Sequence, residues 1–193
     1  MTEEETVPSV VVPFFVVVVT GSECTGKTTL ASDLADRYGT AWAPEYARGY
    51  SAAKAAPLDA SDVEPIARGQ MAAEDAAARA ARERGRALVV LDTDLVSTVV
   101  YARHYYGACP AWIEDAARAR KGHLYLLLHP DVPWLPDGVR DRPRRREHMH
   151  QLFRETLANM GARTVDVRGS WEERRCQATT VVDAAAGVTA PRD

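Results

Sequence analysis

The stretch "PFFVVVVTGSECTGKTTL", Pro13 to Leu30, decides the fold. Its apolar half, Phe14 to Val19, lacks the alternation of a half-exposed strand and reads as a strand buried on both faces, as parallel sheets require. Its second half sets Gly21 and Gly26 in the spacing G-x-x-x-x-G-K-[ST], completed by Lys27 and Thr28. In a strand–loop–helix context this pattern is a phosphate cradle. The backbone N–H groups of Gly21, Ser22, Glu23, Cys24, Thr25 and Gly26, with the helix start at Lys27, Thr28 and Thr29, converge on phosphate oxygens. Lys27 adds a point charge over the β- and γ-phosphates, and the Thr28 hydroxyl is placed to ligate Mg²⁺. Cys24 contributes backbone, not a reactive thiol.

Working outward, apolar strands alternate with helical stretches. "TTLASDLADRYG" predicts a helix ending at Gly39, with Leu30, Leu34 and Tyr38 on one face. "TAWAPEYARGY" holds a short strand stopped by Pro44. An Ala-rich helix is expected from Ser61, as its cap, to about Arg84, interrupted near Gly69. "ALVVLDTD", "HLYLLLH" and "RTVDV" complete the strands. "LVSTVVYARHYYG", "PRRREHMHQLFRETLANMG" and "SWEERRCQATTVVDAA", the last capped by Ser170, complete the helices. The expected fold is a P-loop α/β domain: five parallel strands covered by helices on both faces. It should run over 14–186, after an N-terminal extension (1–13) and before a short tail (187–193).

The remaining bounds exclude several classes. The formal net charge of −3 gives no general reason to expect nucleic-acid binding. Three cysteines without C-x-x-C spacing suggest neither a disulfide framework nor zinc. The acidic start "MTEEETVPS" is no secretory signal, and the apolar run behind it is too short for a bilayer, so a cytoplasmic protein without membrane association is expected. The single asparagine, Asn159, lies in no N-K-x-D motif, which makes ATP rather than GTP the expected nucleotide.

A Mg²⁺-nucleotide site also needs a carboxylate at a strand's carboxyl end, and "LDTD" supplies Asp92 there. Asp94 serves either the site or the cap of the following helix. Glu45 and Asp92 are both expected to end strands flanking the P-loop strand. Asp92 falls on the metal side and Glu45 on the acceptor side, where it can take a hydroxyl proton. Arg48 can hold a polar group of the acceptor. Tyr46 and Tyr50, four apart, share a helical face and serve either ring stacking or packing. In "DGVRDRPRRRE", Arg140 is expected at the transferring phosphoryl group and Arg142 on ATP, while Arg144 to Arg146 read as a solvated face. His148 and His150 read as surface residues.

The order "GSECTGKTTL", "APEYARGY", "LDTD", "DVPWLPDGVRD" and "VRGSWEERRCQA" resembles the ribosylnicotinamide kinase domain of the NadR family, from about Val16 to Asp183. The resemblance implies a nucleoside-kinase-like fold with an arginine-rich lid. It also implies ATP-dependent phosphorylation of the 5′-hydroxyl of nicotinamide riboside, giving nicotinamide mononucleotide. Its E-Y-x-R element falls on Glu45, Tyr46 and Arg48, and its D-T-D on Asp92, Thr93 and Asp94. Its W-x-x-D-G-x-R element falls on Trp134, Asp137, Gly138 and Arg140, and a glutamine near the acceptor on Gln70. The substrate-binding set is thus Glu45, Tyr46, Arg48, Gln70 and Asp94. The H-x-G-H signature of adenylyl transfer is missing from the sequence, so that activity is not expected. The residues alone leave open a kinase for another nucleoside, nucleotide or metabolite, or a nucleotide switch without an acceptor. They leave the oligomeric state open too.

Overall fold

The computed structural model of the chain describes residues 14–54, 56–131 and 143–187, with side chains from 146 onward in the last stretch. Among these, β1 (Phe15–Thr20), β2 (Trp42–Ala43), β3 (Leu88–Asp92), β4 (Leu124–Leu128) and β5 (Thr164–Val167) form one sheet in the order β2-β3-β1-β4-β5. Every pairing is parallel; Val17 of β1 lies opposite Val90 on one side and Leu124 on the other. All five residues of β3 and of β4 are buried, which is why their sequences run apolar without alternation.

Helices cover both faces. On one, α1 (Lys27–Tyr38) and α7 (Trp171–Ala186) pack Leu30, Leu34, Ala178 and Val182 onto Val17, Val19 and Val90. On the other, α3 (Val63–Glu83), α4 (Leu95–Tyr106), α5 (Ala111–Ala119) and α6 (Pro143–Asn159) pack onto Val18, Leu91, Tyr125 and Leu127. Residues of β1 therefore alternate between two cores. A short helix α2 (Tyr46–Lys54) and a 3₁₀ turn (Ala60–Asp62) lie between β2 and α3.

Three sequence expectations need correction, and one helix was not expected at all. β3 and β4, not β2, flank β1, so the strand leading to Glu45 is one place removed from the P-loop strand. The turn before α3 is capped by Asp59, in a reciprocal capping box with Asp62, and Ser61 lies inside it. α3 is continuous through Gly69. Any Cβ there would stand 2.1 Å from the Tyr46 ring, so this glycine permits a close approach and breaks nothing. Finally, α5 went unforeseen; only Ile113 and Ala117 are buried on it, a weak periodic signal. The caps at Ser170 and Gly39 stand as expected.

Candidate active site

Residues 21–26 form the loop from β1 into α1. Cys24 (φ 53°) and Gly26 (φ 86°) adopt left-handed backbone, which turns successive N–H groups into one concavity. Gly21 has φ 133°, and a Cβ there would meet the Leu128 carbonyl oxygen at 2.8 Å, so glycine is required on steric grounds. Within the loop the Ser22 carbonyl accepts from Lys27 Nζ at 2.8 Å and from Thr25 Oγ1 at 3.0 Å. Lys27 is buried, Thr28 half-buried and Thr29 exposed. Glu23 is half-buried on the loop's rim.

Asp92, at the carboxyl end of β3, is fully buried, and its Oδ2 accepts from Thr28 Oγ1 at 2.6 Å. Its Oδ1 is buried with no hydrogen-bond partner among the described residues. Ser22 Oγ and Thr93 Oγ1 are orphaned in the same way. Buried polar atoms without partners mark a place built for a ligand. Burial pushes the Asp92 carboxyl above the ordinary range, the Thr28 hydroxyl and Lys27 pull it back, and Glu45 raises it again. Glu45, Arg48, Lys27 and Asp92 thus share one electrostatic neighbourhood even though β2 is not adjacent to β1.

Donors here are oxygens only, from one carboxylate and one hydroxyl. That fits Mg²⁺, which keeps several waters and takes one or two protein ligands beside substrate phosphates. Among the described residues no cluster of three or more His, Cys, Asp or Glu suggests a dedicated metal cage.

On the side where the sequence leads one to expect the acceptor, the Glu45 side chain is buried and accepts from Arg48 Nη2 at 3.3 Å, with the Arg48 side chain exposed. Tyr46 and Tyr50 lie 6.2 Å apart between ring centroids, and the Tyr50 hydroxyl donates to Asp62 at 2.9 Å. Gln70 is buried and far from an ordinary helix-surface residue: its Oε1 accepts from the Tyr46 N–H at 3.0 Å, and its Nε2 faces the Thr93 carbonyl at 3.3 Å. Asp94 caps α4 through the Val96 N–H at 3.0 Å and accepts from the Tyr125 hydroxyl at 2.6 Å, so both oxygens are engaged inside the fold. Its burial raises the carboxyl to about 6. Trp134, Asp137, Gly138, Arg140 and Arg142, and with them the expected lid, lie outside the described residues.

Several residues escaped the sequence reading. Arg174, fully buried at the start of α7, donates to the carbonyls of Thr25 (3.1 Å), His129 (2.8 Å) and Gly169 (2.9 Å) and pairs with Asp131. Arg146 is buried against the loop, donating to the Cys24 carbonyl at 3.3 Å, where a solvated face was expected. His150 is buried too, its ring 4.7 Å from that of His129, while His148 is exposed as expected. A charge's role in a distant loop leaves no local periodic signal.

The profile of the family described as "AAA domain" matches residues 16–174. The trifunctional NAD biosynthesis/regulator protein NadR of Escherichia coli strain K12 is 32% identical over 142 residues, 70% of this chain and 34% of that protein. A crystal structure of a NadR protein in complex with NR shares 28% identity with a TM-score of 0.73, over 92% of this chain and 53% of that one. A second, in complex with NAD and AMP-PNP, shares 26% identity with a TM-score of 0.70, over 93% and 51%. The chain therefore spans about a third of the curated relative and about half of each solved one. No helix among the described residues is long and apolar enough to cross a membrane.

Proposed function

This chain belongs to the AAA-domain family of P-loop proteins, and on that footing we propose that it is an ATP-dependent kinase acting on the 5′-hydroxyl of nicotinamide riboside. The observation that carries the reading is the joining of Thr28 to Asp92 at the P-loop, with a second carboxylate, Glu45, on the segment beside it. One carboxylate suffices for a nucleotide switch; a second one beside Arg48 and two tyrosines suits a hydroxyl acceptor. The NadR likeness names that acceptor, since one such structure holds NR and another AMP-PNP.

In this mechanism the loop amides and Lys27 hold the ATP phosphates. Thr28 and Asp92 would hold Mg²⁺, which would supply charge neutralisation for the transferring phosphoryl group. Glu45 orients the riboside hydroxyl and takes its proton as the oxygen attacks the γ-phosphorus. The bond to the β-phosphate oxygen breaks, giving nicotinamide mononucleotide and ADP. Tyr46 and Arg48 hold the acceptor, and Arg140 and Arg142 neutralise the moving phosphoryl group and ATP.

The test is ATP consumption with mass detection of product across a panel of nucleosides, with Lys27→Ala as background. Nicotinamide riboside should be phosphorylated much faster than ATP is hydrolysed alone. Equal ADP release with and without every nucleoside would instead favour a nucleotide switch. In the same assay Glu45→Gln should lower kcat by roughly 10²–10⁴ with unchanged Mg²⁺ dependence, whereas Asp92→Asn should raise the Mg²⁺ requirement. The reverse pattern would exchange their roles.

A further inference from the structure

Behind the segment carrying Glu45 and Tyr46 runs a chain of side chains, buried at Gln70 and Glu74 and half-buried at Arg120, with a defined hydrogen-bond direction. Arg120, in the turn after α5, donates through Nε (3.3 Å) and Nη2 (3.1 Å) to Oε2 of Glu74. Glu74 Oε1 accepts from Gln70 Nε2 at 3.4 Å. Gln70 Nε2 also faces the Thr93 carbonyl, and Gln70 Oε1 accepts the Tyr46 N–H. One orientation of the Gln70 amide thus meets three groups together: the Tyr46 N–H, the Thr93 carbonyl and the Glu74 carboxylate. That Tyr46 N–H opens α2 and belongs to the first turn, whose donors have no partner within the helix.

We propose that Glu74, held by Arg120, is a positioning residue for the acceptor side: it fixes the polarity of the Gln70 amide and thereby joins the start of α2 to the Asp92–Asp94 loop. This deepens the kinase reading and rests on it for the identity of the acceptor. The two donors approach different oxygens, Arg120 at Oε2 and Gln70 at Oε1, and only a carboxylate offers an acceptor at both places. An amide at 74 offers one acceptor and one donor. With its oxygen kept by Arg120, its NH₂ faces the Gln70 NH₂. Gln70 must then withdraw or flip, and a flip turns a donor toward the Tyr46 N–H and an acceptor toward the Thr93 carbonyl. By either route Tyr46 loses its partner, and the segment carrying Glu45, Tyr46 and Arg48 is freed from the loop carrying Asp92.

The surroundings of Glu74 agree. Burial and Asp94 push its carboxyl up to about 7, against the pull of Arg120 and Gln70. Asp75 shares Arg120 with it at 2.6 Å, and Tyr125 stands near it from β4. Arg79 and Arg82 line, with Glu74 itself, a cavity of about 390 Å³ between α3 and the β1–β3 face. In this buried place the Glu74 carboxyl supplies two acceptors, one to Arg120 and one to Gln70.

The decisive experiment compares wild type, Glu74→Gln and the swapped pair Gln70→Glu/Glu74→Gln. In the swap the carboxylate stands at position 70 and the amide at position 74. That carboxylate accepts both from the relocated amide and from the Tyr46 N–H, but its second oxygen stands against the Thr93 carbonyl, so the rescue is partial. Amide hydrogen exchange at Tyr46 should accelerate by roughly tenfold in Glu74→Gln, as expected for one lost hydrogen bond of ordinary strength, and return in part in the swap. The KM for nicotinamide riboside should rise by a similar roughly tenfold factor while that for ATP stays within about twofold. Unchanged exchange at Tyr46, parallel rises of both KM values, or no recovery in the swap would each overturn the proposal. If the wild type leaves nicotinamide riboside untouched, the kinase reading falls, and the exchange arm still decides the role of Glu74.

Discussion

At the scale of single residues, Glu74 sets stability against function. Its carboxyl stands near 7 in the fold against an ordinary 4.5, so the folded protein binds this proton more tightly than the unfolded chain does. Between those two values the unfolded chain has released the proton and the fold has not. Stability from this site is therefore full below the lower value and is lost as pH rises through the higher one, on the order of 3 kcal/mol in all. The proposed positioning role needs the carboxylate, so riboside affinity should improve over the same window in which stability falls. Parallel melting curves and riboside KM values between about pH 5 and 8, in wild type and Glu74→Gln, check both trends. The wild-type trend should be opposed in the two readouts and shallower in the variant, where Asp94, raised to about 6, still contributes to the fall in stability. A pH-independent difference in melting between the two proteins would refute the assignment. Glu74 also marks where the sequence stops being legible. Lys27, Thr28 and Asp92 are tied to a fixed motif or a strand end, and the chemistry of phosphate dictates their spacing. Glu74 sits in "MAAEDAAARAARERG", where one acidic residue on an Ala-rich helix looks like any solvated position. Its meaning comes from Arg120, 46 residues away, which no local pattern announces.

At the scale of elements, the strands and most helices were readable because a parallel sheet covered on both faces forces continuous apolar runs separated by amphipathic helices. What failed was whatever depends on which element meets which. β2 is two residues long, and nothing in "AWAP" says that it pairs with β3 instead of β1. Gly69 shows the same limit: alone it suggests a helix break, yet it is the floor on which α2 sets the Tyr46 ring. Gly69→Ala would bring a methyl to 2.1 Å from that ring, which cannot stay where it is. That ring is exposed and can swing toward solvent, so the strain is offset by the roughly 0.5–1 kcal/mol that Ala gains over Gly within a helix. The variant should therefore stay within about 1 kcal/mol of wild type in stability, with the displaced Tyr46 raising the riboside KM more than the ATP KM. Melting and steady-state kinetics on the one variant test both; an unchanged riboside KM would show that the ring's place does not matter to the acceptor.

At the scale of the whole molecule, the sheet order β2-β3-β1-β4-β5 brings the loops after β1, β4 and β5 to one edge, and a single side chain ties them together. Arg174 stands 149 residues from Thr25, yet it donates to that P-loop carbonyl, to the carbonyl of His129 after β4 and to that of Gly169 after β5, while pairing with Asp131. Trp171, from the same first turn of α7, leaves 3.0 Å for a Cβ at Gly26 and so closes the loop from behind. Such a guanidinium can satisfy three carbonyls and a carboxylate at once because its five N–H groups form a rigid fork. Arg174→Met removes all of these donors from a fully buried position and leaves the carbonyls unpaired. Asp131 is exposed and can rehydrate, but three carbonyls lose hydrogen bonds from a charged donor worth roughly 1.5–3 kcal/mol each, a loss of about 3–5 kcal/mol once non-additivity is allowed for. In a chain of this size that amounts to a fall of roughly 6–20 °C in Tm. Because one of the freed carbonyls belongs to the phosphate loop, ATP affinity should fall as well, and should fall further than riboside affinity, the mirror image of the Glu74→Gln result. Arg174→Lys should recover little, since one ammonium on a flexible stem cannot reach three separate loops in the same geometry. Calorimetry of ATP binding and melting of both variants decide the matter; a methionine variant that melts within about 2 °C of wild type and binds ATP normally would show that the three loops hold their places without the arginine.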